Sequence, residues 1–403
     1  MLIPAGDLAT FKIAVRYGAD AIYIGGESFS LRAKAKNFTI DDMKECIKLA
    51  HDKNIKVYIT ANIYAHNDDL EDAKEYFKIL NDIKPDAVLI SDLGLVAIAR
   101  SIFDGVDIHI STQANTTNYE TVKFYRDMGI KRVVLARELS LDEIKKIKDE
   151  VKDTVEIETF VHGAMCISYS GRCLLSAFMT GRSANEGECT HPCRWKYMLL
   201  EEEERKGEYM PVMETERGTY IFNSKDLNMI EHIDKLIEAG IDSLKIEGRM
   251  KTALYIATVA RTYRKAIDDY YKDKNLYFAN IEKYKEEIAK CTYREFTTGF
   301  YFGKPDESTQ IYDNNTYVVG ATYYGTVERV DNEFAYFEQK NKFSVGDELV
   351  VMKTDFSNLS VKVLEMYDET TGEKIESCPH SKQRLKVKFD KVLEELDIIR
   401  SNA

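Results

Sequence analysis

No run of eighteen apolar residues occurs in the 403-residue chain, so the sequence offers no candidate for a membrane-spanning helix. The N-terminal Met1-Leu2-Ile3-Pro4-Ala5-Gly6 has neither the basic start nor the apolar core of a secretory signal, and reads instead as a first strand. The expected location is cytoplasmic. A basic surplus is missing as well: 56 Lys and Arg face 68 Asp and Glu, a formal net charge of −12. Bulk charge therefore cannot hold nucleic acid, since phosphate binding relies on Lys and Arg displacing counterions; any RNA contact needs a local basic patch. Two hydrolase motifs are also missing, the His-Glu-x-x-His of zinc peptidases and the Gly-x-Ser-x-Gly elbow of serine hydrolases.

What is present is an ordinary globular composition, 44% hydrophobic and 31% charged, in a chain long enough for two domains. Short apolar strands recur at Leu2-Ile3, Ala21–Gly25, Val57–Ala61, Ala87–Ile90, Ile108–Ser111, Arg132–Ala136 and Ile157–Val161. Amphipathic helical stretches separate them, such as Ile40 to Asn54, Asp68 to Asp82 and Leu141 to Val151. Continuous apolar strands alternating with helices predict a parallel sheet covered on both faces, and a repeat of roughly 25 residues suits a β/α barrel. Thr219–Phe222 and Ser243–Ile246 bring the candidates to nine, one more than an eight-stranded barrel requires.

The pattern breaks between Gly163 and Gly218, where four cysteines and the acidic run Glu201 to Glu208 fall. An insertion after a strand belongs at the strand's C-terminal end, where barrel enzymes keep their chemistry. Helical stretches follow from Ala253 to Lys274 and around Ile281 to Cys291. From about Val318 the chain turns β-rich, with Tyr323–Val327, Phe334–Phe337, Leu349–Met352 and Leu385–Lys388. The expected fold is α/β: a parallel (β/α) TIM-like barrel over residues 1–275 with a cysteine-bearing insertion at about 163–218. A helical connector at 276–317 and a small antiparallel β-barrel domain at 318–403 complete it.

Seven cysteines are present, and four of them, Cys166, Cys173, Cys189 and Cys193, lie in one stretch. Such clustering in a cytosolic chain favours a metal or redox role over disulfides, while Cys46, Cys291 and Cys378 read as buried small hydrophobes. Four thiolates in a loop can bind zinc or an iron–sulfur cluster. Structural zinc prefers two tight knuckles, and only Cys189 and Cys193 form one, so the asymmetric spacing favours the cluster. Arg172, Arg182, His191, Arg194 and Lys196 place positive charge around a group that would be anionic, and Trp195 is available to pack over it.

The segments Glu158–Cys166, Tyr169–Ser176, Asn185, Gly187, Cys189 and Cys193-Arg194-Trp195 resemble the peptidase family U32. Pro4-Ala5-Gly6, Gly18–Ala21, Ser30-Leu31-Arg32, Ser111–Asn115, Ala136–Leu139 and Lys245–Lys251 extend the likeness over nearly the whole chain. His66-Asn67, Ser111 to Asn115 and Val161 to Ser176 are most similar to those members that hydroxylate tRNA. The resemblance implies oxygen-independent, prephenate-dependent formation of 5-hydroxyuridine at the wobble position. It also implies a [4Fe–4S] cluster on Cys166, Cys173, Cys189 and Cys193, with tRNA and a small anion as partners. It leaves open a homo-oligomer or a hetero-oligomer with a related subunit. Other members described as collagenase-like proteases imply a peptidase alternative, and an accessory substrate- or RNA-binding role is a third reading. A Cys166–His162 nucleophile pair would serve the peptidase, but a thiolate committed to metal is not a free nucleophile.

The remaining candidates follow from position. Asn62, Gln113 and Asn115 lie just past strand ends, where side chains can bond a substrate or cap the next helix. Arg137 and Arg249 are the candidates for gripping carboxylates, which arginine does through paired hydrogen bonds. Lys245, Glu247 and Arg249 alternate along the last strand, so an inward face would bring all three to the barrel mouth, or Glu247 into a structural ion pair. His162 and Glu247 are the candidate catalytic residues, His162 because imidazole titrates near neutrality. His109, inside a strand, is expected to be a satisfied core residue. For RNA, the basic stretch Lys382, Arg384, Lys386, Lys388 and Lys391 reads as a phosphate track or as a lysine-protected edge strand.

Overall fold

The structure is a computed structural model that describes residues 1–27, 29–30, 37–166, 168–169, 172–173, 175–180, 182, 189–190, 192, 214–215, 218–219, 224–303 and 317–402. Cys193, His191, Arg194, Trp195, Lys196 and the strand candidate Tyr220–Phe222 lie outside the described residues. By contact density the chain divides into two compact units. One comprises Met1–Leu8, Asp20–Met250 and Arg294–Tyr317; the other comprises Ala9–Ala19, Lys251–Tyr293 and Val318–Ala403.

The first unit is a closed barrel. Strands β1 (Leu2–Pro4), β2 (Ala21–Gly25), β3 (Lys56–Ala61), β4 (Ala87–Ile90), β5 (Asp107–Ile110), β6 (Arg132–Val134) and β7 (Glu156–Ala164) pair in parallel in chain order. Two minor strands, β8 (Glu214–Thr215) and β9 (Gly218–Thr219), pair only with each other, which puts Thr219 outside the barrel. Strand β10 (Asp226–Asn228) runs antiparallel to the far end of β7. Strand β11 (Ser243–Ile246) pairs in parallel with both β1 and β7, and so closes an eight-stranded ring. The ring takes eight of the nine candidates, and Thr219, the one described residue of the ninth, pairs outside it.

The helices form where the apolar spacing places them. They are α1 (Leu8–Arg16), α2 (Ile40–His51), α3 (Leu70–Ile83), α4 (Leu93–Ile102), α5 (Tyr119–Asp127), α6 (Leu141–Val151), the short α7 (Leu175–Thr180) and α8 (Ile233–Glu238). Capping boxes start α2 and α6: Ser140 Oγ accepts from the Glu143 amide while Glu143 accepts from the Ser140 amide at 2.9 Å. In α6, Ile144, Ile147 and Val151 share the buried face expected of a barrel helix.

The second unit contains α9 (Ala253–Lys272) and α10 (Lys274–Ile288); the sequence-based boundary at 275 falls inside the first turn of α10. Strand β12 (Thr292–Tyr293) pairs with β14 (Val318–Val319), whereas β13 (Phe296–Thr297) extends the barrel sheet beside β10. Seven antiparallel strands follow: β15 (Tyr323–Thr326), β16 (Arg329–Asp331), β17 (Phe334–Glu338), β18 (Glu348–Met352), β19 (Asn358–Asp368), β20 (Arg384–Phe389) and β21 (Ile398–Arg400). Their order, β15-β21-β18-β19-β20-β17-β16, curls as a half-barrel around Val351, Val363, Leu385, Val387 and Ile399, with the buried Cys378 beside them. Within this unit, Glu287 of α10 accepts from Arg261 of α9 at 2.6 Å and from Arg400 of β21 at 3.0 Å, a buried ionic tie between helices and sheet.

Strand β20 lies between β17 and β19, so the edge-strand reading of its basic stretch is corrected: it is an interior strand. Arg384 pairs with Glu328 and Glu369, and Lys388 with Glu333. Lys386 stands 4.3 Å over the Phe334 ring. No described helix is long and apolar enough to cross a membrane.

Candidate active site

The barrel interior is polar and charged. Tyr58 of β3 and His109 of β5 meet edge to face at 4.7 Å, although β4 separates their strands, which places both rings inside the barrel. Glu158 of β7, fully buried, accepts from Arg132 of β6 at 3.0 Å and from Ser243 of β11 at 2.8 Å. Lys245 lies 3.1 Å from its other oxygen and over the Tyr23 and Phe160 rings. Burial alone would raise the Glu158 carboxyl, but Lys245 and Arg132 outweigh it and hold it down at about 2. Burial lowers the Lys245 ammonium, and Glu158 opposes that shift. Lys245 thus sits in the interior as one member of an ionic chain, not at the rim.

Nearer the C-terminal strand ends, the other candidates fall into three groups. Asn62 donates to Gln113 Oε1 at 3.1 Å, and the Ser111 hydroxyl donates to the same oxygen. The Tyr64 hydroxyl donates to the Gln113 carbonyl, as does Asn115 Nδ2 at 2.9 Å. Asn115 closes the short turn after β5 with a left-handed backbone, while Asn118 caps α5. Among the described residues the buried Asn115 Oδ1 has no hydrogen-bond partner.

Arg249 forms the second group. Its guanidinium is buried against the Ser30 hydroxyl at 2.6 Å, Thr60 at 3.2 Å and Asn37 at 3.1 Å. A side chain on Gly25 would collide with Arg249 Nη1, so glycine there makes room for the arginine.

The third group joins the cysteine loop to the rim. Arg137 lies 4.0 Å over the Phe160 ring, donates to the Ala164 carbonyl at 3.3 Å, and pairs with Glu247 at 3.6 Å. His162 is buried beside Phe296, and its carbonyl accepts from the Glu247 amide at 2.8 Å. Gly163 has φ +109°, and a Cβ there would run into the Glu247 backbone. Alternation along the last strand is thus realised as two separate contacts, Glu247 with Arg137 and Arg249 with the Ser30 side.

Cys166 follows two residues after β7. Arg172, just before Cys173, lies 5.9 Å from the Tyr64 ring centre. Thr190, just after Cys189, donates through its amide to Ser176 of α7 at 3.0 Å. Cys166 and Cys189 are exposed and Cys173 is half-buried. Thiolates of this kind suit iron or zinc. Among the described residues no three His, Cys, Asp or Glu side chains are gathered as a metal site, and the fourth candidate ligand, Cys193, lies outside them.

Sequence reasoning had not singled out Glu158, Phe160, Tyr64, Ser111 or Thr60 as site residues. A carboxylate in the middle of an apolar strand was the available signal for Glu158, because such a group needs an interior partner. Tyr64 and Thr60 carried none.

Together these features define a parallel β/α barrel, with Cys166 two residues beyond its strand β7, and an antiparallel half-barrel sheet later in the chain. The chain belongs to peptidase family U32: residues 6–311 match the family and residues 320–400 match its C-terminal domain. It is 38% identical over 402 residues to the tRNA hydroxylation protein P1 of Bacillus subtilis strain 168, covering 99% of this chain and 94% of that protein. It is also 38% identical to the tRNA hydroxylation protein P of Escherichia coli K12, covering 94% and 91%. A collagenase of Porphyromonas gingivalis W83 is 31% identical, covering 93% and 91%.

Proposed function

We propose that this chain is an RNA-modifying enzyme that hydroxylates the wobble uridine of tRNA to 5-hydroxyuridine without molecular oxygen, using a prephenate-class anion. The reading is supported by similarity over nearly the whole chain to two proteins named for tRNA hydroxylation. The structural observation that supports it is the contact of Arg137 with the Ala164 carbonyl, two residues before Cys166. Cys166, Cys173, Cys189 and Cys193 would hold a [4Fe–4S] cluster, with zinc as the alternative occupant. When bound, such a cluster supplies one-electron redox chemistry.

The chain's own residues bind and orient. Arg137, steadied by Phe160 and Glu247, receives one carboxylate of the anion. Arg249, fixed by Ser30, Thr60 and Asn37, is the candidate for a second. The Asn115 Oδ1 is a ready acceptor for a substrate N–H or O–H. His162 and Glu247, joined through backbone at the end of β7, are the candidates for proton movement.

The collagenase relative favours a second reading, peptide hydrolysis. The two separate in one experiment on protein purified without oxygen. Iron and acid-labile sulfide near four per chain, lost in Cys173→Ala, together with 5-hydroxyuridine restored to tRNA of a deficient strain by wild type alone, is the expected result. Arg137→Ala should raise the KM for the anion about tenfold or more, the worth of a charge-assisted hydrogen bond. Zinc or no metal, with collagen or peptide cleavage and unmodified tRNA, would replace hydroxylation by the peptidase.

A further inference from the structure

A polar cavity of about 230 Å³ opens at the end of the barrel opposite the cysteine loop. Its lining comes from strand starts and the residues just before them: Lys56 and Tyr58 of β3, Asp107 and His109 of β5, Lys131 and Arg132 at β6. Asp86, Gly105 and Glu156 complete the wall. The space matches several water molecules at a share of roughly 30 Å³ each, or one small oxyanion with its hydration.

The groups around it are unequally satisfied. Asp86 accepts from His51 at 2.9 Å and from the Val57 amide at 2.8 Å, and Glu156 accepts from Arg132 at 2.8 Å. Those carboxylates are occupied. Among the described residues Lys56 and Lys131 have no carboxylate within ion-pair distance, and the Asp107 carboxylate is likewise unpaired. On the inner side stands His109, buried to 3% exposure, whose Nδ1 has no hydrogen-bond partner. A buried ring nitrogen left without a partner is destabilising unless something in the cavity meets it. The sequence had pointed to a satisfied core histidine; the ring is in the core, and its Nδ1 is not satisfied.

The geometry points to a binding site for a small oxyanion of the phosphate class in this cavity, received by Lys56 and Lys131 at the opening and by His109 within. His109 is neutral in this setting, since burial and then the charge of Arg132 push its pKa down to about 3. A neutral imidazole offers one N–H, which suits an oxyanion oxygen. Arg132 is held between Glu156 and Glu158, which neutralise it, so the positive charge available to the anion is that of Lys56 and Lys131.

The test is calorimetric titration of the full chain with inorganic phosphate at low ionic strength. One saturable site per chain is expected, weakened at least tenfold in the Lys56→Ala/Lys131→Ala double variant and in His109→Phe, and unchanged in Arg137→Ala. The two lysines are exposed, so their removal leaves the fold intact, which circular dichroism checks. Absence of saturable binding would mean the cavity holds water alone. Binding that survives the double variant, or that disappears in Arg137→Ala, would place the anion at the other end of the barrel. Any of these results overturns the assignment, and none depends on tRNA hydroxylation.

Discussion

His109 and Glu158 show how a barrel interior can be ionic and still stable. Each is buried, and each has its pKa moved downward, His109 chiefly by burial and Glu158 by Lys245 and Arg132 against burial. The two effects act in the same direction on stability. An unfolded histidine binds a proton below about 6.5, whereas folded His109 stays neutral down to about 3, so protonation favours the unfolded chain across that window. The contribution is complete above 6.5 and is lost as pH falls towards 3. Glu158 adds its own loss at lower pH, because its stabilisation is present above the usual carboxylate range and disappears as pH falls towards 2. Urea unfolding at pH 7 and pH 5 should therefore show wild type losing about 2 kcal/mol more than His109→Phe, the equivalent of one and a half pH units on one group. Equal acid limbs for the two proteins would mean that His109 is protonated in the fold.

At the scale of elements, the parallel strands were legible because burial on both faces writes them as mostly apolar runs. All eight barrel strands show it, although His109, Arg132, Glu158 and Lys245 interrupt four of them, and each appears in the ring. What escaped was local pairing with little hydrophobic signature: Asp226–Asn228 beside β7, Phe296–Thr297 beside β10, and the pairing of Thr292–Tyr293 with Val318–Val319. The long Asn358–Asp368 strand was also missed, since its apolar positions Val361, Val363 and Met366 are thinned by charged outward residues and shifted by a bulge near Glu365. The site was legible as positions but not as partnerships: Arg137 and Glu247 were candidates separately, and only the ring closure of β11 on β7 brings them together. Gly163 is the hinge of that meeting. Gly163→Ala forces a side chain into the left-handed region and against the Glu247 backbone, which should cost about 1–3 kcal/mol and raise the KM for the anion. Ser140→Ala is the control from the same unit, losing the α6 cap at about 1 kcal/mol with KM unchanged. Thermal unfolding and KM measured together on both variants separate the two; an unchanged KM in a destabilised Gly163→Ala would remove Glu247 placement from the site.

For the molecule as a whole, the proposed function raises the question of how a chain of net charge −12 would engage RNA. Long-range attraction is weak or repulsive, so affinity must come from a few cations that the protein has not already neutralised. The half-barrel sheet narrows the choice. On β20, Arg384 and Lys388 are held by Glu328, Glu369 and Glu333, and a phosphate would have to compete with those carboxylates. Lys386 is different: its ammonium rests on the Phe334 and Tyr367 rings, and aromatic faces can also stack bases. A phosphate contact at Lys386 predicts a defined salt signature. In tRNA titrations across a range of salt concentrations, Lys386→Ala should lower the slope of log affinity against log salt by about one and weaken binding at low salt. Lys388→Ala, which removes a cation already paired with Glu333, should change the slope by much less. Identical slopes for wild type and Lys386→Ala would move the RNA contact off this sheet, leaving residues outside β20 to supply it.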